Sequence, residues 1–420
     1  MTVSVSPSIP NGSIRAIPSK SVAHRALICA AFADRDTALR CEHTNKDIEA
    51  TAACLRTLGA IITRKDDIYH VSPISPKSAL QGAKLPCRES GSTLRFLLPV
   101  VAALGIDAYF IMEGRLPQRP LSPLGEILTD NGVTISYPSE DILHVTGRLT
   151  GSEFSINGGV SSQFISGLLF ALTLRRQPAS LSVSGKIESA PYLNLTENAL
   201  STFGAKPLLN KNTYTVSNTD TLRSPGYVDI EGDWSNAAFP LCLGLIGKGE
   251  VSVSGLDPLS CQGDREIIDI LRQFGGNVTL HENVYTAKSS SLRGIEVDAS
   301  QIPDLVPIIA TIASVAQGKT VIYGASRLRL KESDRLQSIS DMLNTLNADV
   351  QITEDGLIIN GHPNLKGGRV SSVNDHRIAM SAAVASVVCD SPVTIDQADA
   401  VSKSYPSFWD DMKSLGLVFS

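Results

Sequence analysis

The chain has 420 residues, of which 42% are hydrophobic and 19% charged, an ordinary globular mix long enough for two domains with cores of their own. Its formal net charge of −5 excludes a broadly basic surface for nucleic acid, so an anionic ligand has to be drawn by a local basic cluster. Seven cysteines without a CxxC spacing read as reduced core residues rather than a disulfide framework. With no membrane-length apolar run and no basic-then-apolar leader in residues 1–10, the expected compartment is the cytoplasm.

In chain order, one phrase recurs: a helix stops at Gly or Asn, then a small or apolar residue leads into a β-prone stretch. It falls at 55–60, 127–132, 200–205, 271–276, 343–348 and 412–416, a period of roughly 70 residues. Gly and Asn suit the left-handed conformation that ends a helix. A second phrase keeps the period: a small or acidic cap opens an apolar helix. Its copies are Ser19-Lys20-Ser21, Ser90-Gly91-Ser92-Thr93, Ser161-Ser162-Gln163, Asp233-Trp234-Ser235-Asn236, Pro303-Asp304 and Asp375-His376-Arg377. The helices that follow, such as Ala26-Leu27-Ile28-Cys29 and Phe96-Leu97-Leu98, are apolar almost all round, which predicts interior helices. Residues 61–71, 133–145, 207–216, 278–287 and 350–359 read as paired strands around polar turns. The chain is therefore α/β, with six βαβαββ units, three per domain, sheets outside and helices inside.

Each unit presents helix N-termini, with free N–H groups and partial positive charge. Converging ends of this kind make an anion site. The polar residues cluster there: Lys20, Ser21 and Arg25; Arg95 and Arg119; Ser161, Ser162 and Gln163; Ser189 and Tyr192; Asp304; Arg327, Arg329, Lys331, Glu332, Asp334 and Arg335; and His376, Arg377 and Lys403. Arg forks, Lys point charges and hydroxyls are the donor set for phosphate and carboxylate. Arg327 and Arg329, within a mixed-charge run, read equally as a solvated helix face, and Asp304 after Pro303 reads as a helix cap. No P-loop, GxGxxG, HExxH, GxSxG or paired Cys/His spacing occurs, so neither a metal nor an organic cofactor is expected.

Several segments resemble the EPSP synthase (3-phosphoshikimate 1-carboxyvinyltransferase) family of enolpyruvyl transferases: Pro18-Ser19-Lys20-Ser21 with Arg25-Ala26-Leu27, Ser90-Gly91-Ser92-Thr93-Leu94-Arg95, Gln118-Arg119-Pro120-Leu121, Val160-Ser161-Ser162-Gln163-Phe164, Leu330-Lys331-Glu332-Ser333-Asp334-Arg335 and Asp375-His376-Arg377-Ile378-Ala379-Met380. The resemblance runs nearly end to end, from about 4 to 419. The resemblance implies a two-domain inside-out α/β barrel, with residues 1–18 plus 226–420 as one domain and 19–225 as the other, and an active site in the interdomain cleft. It implies transfer of the enolpyruvyl group of phosphoenolpyruvate to shikimate 3-phosphate. It assigns Lys20, Gly91, Arg119, Gln163, Arg335, Arg377 and Lys403 to phosphoenolpyruvate, and Lys20, Ser21, Arg25, Ser161, Ser162, Gln163, Ser189, Asp304 and Lys331 to shikimate 3-phosphate. Asp304 is the implied proton acceptor; Lys20 and Glu332 are alternative carriers of the proton to C3. The expected partners are these small molecules alone, with no nucleic acid and no membrane, for a monomer. Glyphosate, the family's inhibitor, is expected to act, because Gly91 leaves room for it.

The chain departs from the family pattern at Arg327 and Glu89, where Asn is common. A related transferase acting on UDP-N-acetylglucosamine carries a reactive Cys before its Arg-Pro pair, whereas residues 114–120 here contain none. RNA 3′-phosphate cyclase shares the repeat unit but does not suit the acidic balance, and a non-catalytic anion-binding module would not need both Asp304 and Glu332.

Overall fold

The computed structural model describes residues 1–75 and 82–420. Among them lie six four-stranded sheets, all of one design. Two strands pair in parallel and an antiparallel hairpin completes the sheet: Ala83–Arg88 lies beside Ala108–Met112, then Ile142–Gly147, then Val133–Ser139. Strand, helix, strand, helix and hairpin is the βαβαββ order of the sequence. The residues that close each repeat's second helix explain why the phrase recurs. Gly59, Gly132, Gly204, Gly275, Asn347 and Gly416 all have positive φ, from 67° to 104°, a region costly for other side chains.

The chain divides into two units, Met1–Ile17 with Glu231–Ser420, and Pro18–Ile230. The second boundary lies beyond the expected 225/226 because Tyr227–Asp229 pairs in parallel with Thr37–Arg40, and Ile230 N–H bonds to the Arg40 carbonyl at 3.0 Å. That strand supplies the missing first strand of its unit. In the other unit the N-terminal Thr2–Ser6 pairs with Val393–Asp396 and Val418–Phe419 and completes the last sheet.

Pro18–Ile230 holds helices α1 (Lys20–Ala31), α2 (Lys46–Thr57), α3 (Gly91–Leu104), α4 (Leu124–Thr129), α5 (Ser162–Arg175) and α6 (Pro191–Thr202). The other unit holds α7 (Trp234–Ile246), α8 (Ile267–Gln273), α9 (Val306–Ala313), α10 (Arg335–Thr345), α11 (His376–Ala385) and α12 (Phe408–Ser414). Helices α9 and α11 are buried along their whole length, and α7 is buried everywhere except Ser235. Strands such as Glu153–Asn157 alternate buried and exposed positions, so each sheet gives one face to the core and one to solvent. Each unit has its own apolar core.

Close helix packing has a local cause in α5. A Cβ on Gly167 would stand 2.3 Å from the Arg95 carbonyl and 3.1 Å from Pro99 Cγ on α3, so α3 and α5 approach at a contact that only glycine permits. Gly167→Ala is expected to destabilise this unit by roughly 1–3 kcal/mol through overpacking. Thermal or urea unfolding reads the effect, and an unshifted midpoint would show that the two helices tolerate the extra carbon.

Candidate active site

In Pro18–Ile230 the helix starts are wired to one another by side chains. Ser19 caps α1 by accepting from Val22 N–H, and Ser90 caps α3 by accepting from Thr93 N–H. Lys20 Nζ, at the first residue of α1, reaches Asp47 Oδ2 on α2 at 3.0 Å. Arg25 is 2% exposed. Its Nε donates to Thr196 Oγ1 at 2.8 Å and its Nη2 to the Tyr192 carbonyl at 2.9 Å, which ties α1 to α6. The Gln163 side chain at the start of α5 has a defined orientation. Its Oε1 accepts from Arg95 Nη1 at 2.8 Å, so its Nε2 points to Ser92 Oγ, 2.9 Å away. Arg95 Nη2 also reaches the Pro120 carbonyl at 3.3 Å and secures the loop that carries Arg119. Arg119 lies directly against Gly91: a Cβ there would meet Nη1 at 2.6 Å. Ser161 and Ser162 open α5, and Ser189, at φ 56° and 4% exposed, stands just before α6.

A buried chain of polar groups links α1, α2 and α3. Thr93 Oγ1 donates to Ser90 Oγ at 2.7 Å, so Thr51 Oγ1 donates to Thr93 and His24 Nδ1–H to Thr51, each at 2.7 Å. Burial, with the charges of Lys20 and Arg25 behind it, holds the His24 pKa well below the usual histidine value. A neutral imidazole therefore sits one residue from Arg25, and the cationic cluster gains no further charge from it.

In Met1–Ile17 with Glu231–Ser420 a second polar cluster is built around Arg335, which is 1% exposed at the start of α10. Its Nε donates to Asp375 Oδ2 at 2.8 Å, Nη1 to Asp304 Oδ1 at 2.9 Å and Nη2 to Glu332 Oε2 at 2.7 Å. Burial alone would lower the Arg335 pKa, but Asp375, Glu332 and Asp304 together raise it above the usual value. Asp304 gathers two more cations: Lys331 Nζ at 3.4 Å on Oδ1 and Arg377 Nη2 at 3.1 Å on Oδ2. Burial lowers the Lys331 pKa, against the opposing pull of Asp304. Lys403, 7% exposed, donates to the Asn374 carbonyl at 2.7 Å.

Two expectations from sequence change here. Asp304 is not a helix cap; it lies inside the 3-10 turn Pro303–Leu305, and Leu305 holds the cap position of α9. Arg327 and Arg329 are not simply a solvated face: Arg327 Nη2 donates to the Ser300 carbonyl at 3.0 Å and Arg329 Nη2 to the Thr353 carbonyl at 3.1 Å. Glu89 turns its carboxylate toward the Gly114 turn, where a Cβ would meet Oε2 at 2.6 Å. Asp375, Asp47, Ser92 and Ser235 were not singled out as site residues. Asp375 was legible only as the α11 cap, which it is, accepting from Arg377 N–H at 3.0 Å.

Lys20, Ser21, Arg25, Gly91, Arg119, Ser161, Ser162, Gln163 and Ser189 thus belong to one unit, and Asp304, Lys331, Glu332, Arg335, Arg377 and Lys403 to the other. Among the described residues no group of His, Cys, Asp or Glu suits a metal ion. The same fold occurs in the enolpyruvyl transferase NikO from Streptomyces tendae, with a TM-score of 0.78 at 17% identity, over 100% of this chain and 98% of that one. An EPSP synthase from Acinetobacter baumannii superposes with a TM-score of 0.82 at 26% identity, over 100% of this chain and 99% of that one. A 3-phosphoshikimate 1-carboxyvinyltransferase from Clostridium kluyveri is 40% identical, over 99% of this chain and 97% of its own. One from Clostridium perfringens is also 40% identical, over 99% and 98%. The family model described as EPSP synthase (3-phosphoshikimate 1-carboxyvinyltransferase) matches residues 7–412. The chain belongs to that family.

Asp375 is fully buried and carries both the α11 cap and the Arg335 pair. Its removal leaves a buried guanidinium short of an anion, so Asp375→Ala is expected to cost about 3–5 kcal/mol of stability. Urea unfolding measures this; a cost below about 1 kcal/mol would mean that Asp304 and Glu332 suffice to hold Arg335.

Proposed function

We propose that the substrates are phosphoenolpyruvate and shikimate 3-phosphate, and that Asp304 takes the proton from the 5-hydroxyl of the latter. The reaction is the family's enolpyruvyl transfer between these substrates in the shikimate pathway, and the chain is a transferase. The 5-hydroxyl attacks C2 of phosphoenolpyruvate while C3 gains a proton. The tetrahedral intermediate then loses phosphate and a proton from C3, which leaves the enolpyruvyl ether.

The observation that carries the assignment is the set of three cations on one carboxylate, Lys331, Arg335 and Arg377 around Asp304. The substrates bring about six negative charges, and one like-charge pair at 4 Å costs about 4 kcal/mol at an effective dielectric of 20. Phosphoenolpyruvate competes for the same N–H groups that hold Asp304, Glu332 and the carbonyl of Asn374. As Arg335, Arg377 and Lys403 turn to the substrate, Asp304 loses counter-charge and becomes a stronger base. Binding and base activation are then one event, and preorganised charge does most of the catalytic work.

In Pro18–Ile230, Lys20, Gly91, Arg119 and Gln163 hold phosphoenolpyruvate. Ser21, Arg25, Ser161, Ser162, Gln163 and Ser189 hold shikimate 3-phosphate, with Lys20 common to both. Arg25 acts from its buried position between α1 and α6. Lys20 and Glu332 remain the two candidates for protonating C3. The reading extends to a cytoplasmic monomer without nucleic-acid partners that glyphosate inhibits. The net charge of −5 supports its soluble side, and the contact of Gly91 with Arg119 supports the inhibitor.

Asp304→Ala is expected to lower kcat by about 10²–10⁴-fold, the usual worth of a general base, while calorimetry still finds both ligands bound. A near-normal kcat would remove Asp304 from the proton transfer. Gly91→Ala pushes a methyl against the Arg119 guanidinium, so KM for phosphoenolpyruvate should rise about tenfold or more, on the order of one lost charge-assisted contact, with glyphosate inhibition weakened alongside. An unchanged KM would show that Arg119 does not grip this substrate from where it lies.

A further inference from the structure

Two bonds join α1 to α2 like rungs of a ladder. Lys20 Nζ reaches Asp47 Oδ2 at 3.0 Å, and His24 Nδ1 meets Thr51 Oγ1 at 2.7 Å. Lys20 and His24 lie one turn apart on α1, as Asp47 and Thr51 do on α2. The bonds join them in the same order, so the two helices run side by side in one direction. The rungs differ in kind. The outer one is ionic and reaches solvent, with side chains 18% and 17% exposed. The inner one is neutral and closed to solvent, with His24 and Thr51 at 1% and 0% exposure. A ligand anion can draw Lys20 from Asp47 and leave the inner rung in place.

That inner rung continues into α3. Thr51 Oγ1 lies 2.7 Å from Thr93 Oγ1, and Thr93 Oγ1 donates to Ser90 Oγ at 2.7 Å. Ser90 caps α3, and the next residue is Gly91, against which the Arg119 guanidinium lies. Each hydroxyl has one proton to give, so the relay has one direction: His24 Nδ1–H to Thr51, Thr51 to Thr93, Thr93 to Ser90. Among the described residues the buried His24 Nε2 has no hydrogen-bond partner. The same tautomer accounts for this, since Nε2 then holds a lone pair and no N–H is stranded. His24 also stands edge-on to Phe96 of α3, ring centroids 6.5 Å apart.

We propose that His24 is a positioning residue for phosphoenolpyruvate: its relay through Thr51 and Thr93 holds the start of α3, with Gly91 and Arg119, in register with Lys20 at the start of α1. Lys20 leaves Asp47 to serve a substrate, and the outer rung is then lost. The inner rung keeps the two helix starts at their spacing, so the order is in place before the ligand arrives. Shikimate 3-phosphate depends on the relay less. Its groups Ser21 and Arg25 ride on α1 itself, and Arg25 is tied to α6 through Thr196 and Tyr192.

This rests on Lys20, Gly91 and Arg119 holding phosphoenolpyruvate, and the relay can be read without turnover. Nitrogen NMR of isotope-labelled histidine, with His24→Asn to assign the ring, should find His24 protonated on Nδ1 and bare on Nε2 at neutral pH. Thr51→Val, similar in shape but without the hydroxyl, should shift that Nδ1 signal. In steady-state kinetics His24→Leu and Thr51→Val should each raise KM for phosphoenolpyruvate about fivefold or more, the scale of one neutral hydrogen bond. Both kcat and the calorimetric Kd of shikimate 3-phosphate should stay close to wild type. The double variant should be no worse than either single one, because both break one chain. His24→Asn, whose amide N–H takes the place of Nδ1–H, should recover most of the KM. A ring protonated on Nε2, equal loss of affinity for both substrates, or additive effects in the double variant would each overturn the proposal. Failure of the underlying assignment looks different: KM for phosphoenolpyruvate would be unchanged in Gly91→Ala with the His24 spectrum as expected, and the positioning role would fall with it.

Discussion

The constraint on which most of this structure depends is the burial of a guanidinium. A guanidinium stays charged even when buried, so Arg335 at 1% exposure is costly unless anions surround it, and the fold supplies them from three separate elements. Asp375 comes from the α11 cap, Asp304 from the turn before α9 and Glu332 from the segment before α10. Each lies at or near a helix start, so the repeat that makes interior helices also makes the ring of charge. The ring is not symmetric. Asp375 is fully buried and binds Arg335 through both oxygens, at 2.8 and 3.3 Å, whereas Asp304 and Glu332 are 20% and 25% exposed. One side fixes the fork and the other can be exchanged for ligand oxygens.

The polar cluster of Pro18–Ile230 solves a related problem with neutral groups. Its cations come from Lys20, Arg25, Arg95 and Arg119, and they are held largely by hydroxyls, amides and carbonyls: Thr196, Tyr192, Gln163 and Pro120. The hydroxyl chain through Thr51 and Thr93 joins helices without adding charge. Positive potential is left for ligands there, with Asp47 beside Lys20 as its visible acidic counterpart.

Much of the fold could be read from the sequence because its signals are local. A helix that ends at Gly or Asn every roughly 70 residues states a left-handed closing residue, and all six such positions have positive φ. Cap residues such as Ser19, Ser90, Asp233 and Asp375 were visible for the same reason. Residues that act through partners distant in sequence were not. Arg335 and Asp375 stand 40 residues apart, and Asp375 read as a cap because the cap is the role its neighbours reveal. Arg327 looked like a surface charge because the Ser300 carbonyl it meets lies 27 residues away.

The central claim is that Arg335 works as an oriented fork, not as a unit of positive charge. Arg335→Lys separates the two, since lysine keeps the charge and loses the planar set of donors. Steady-state kinetics of that variant with both substrates is the most direct measurement. The account predicts that kcat/KM for phosphoenolpyruvate falls by about 100-fold or more, in line with the loss of two charge-assisted hydrogen bonds. A value within about threefold of wild type, below the worth of one such bond, would contradict it.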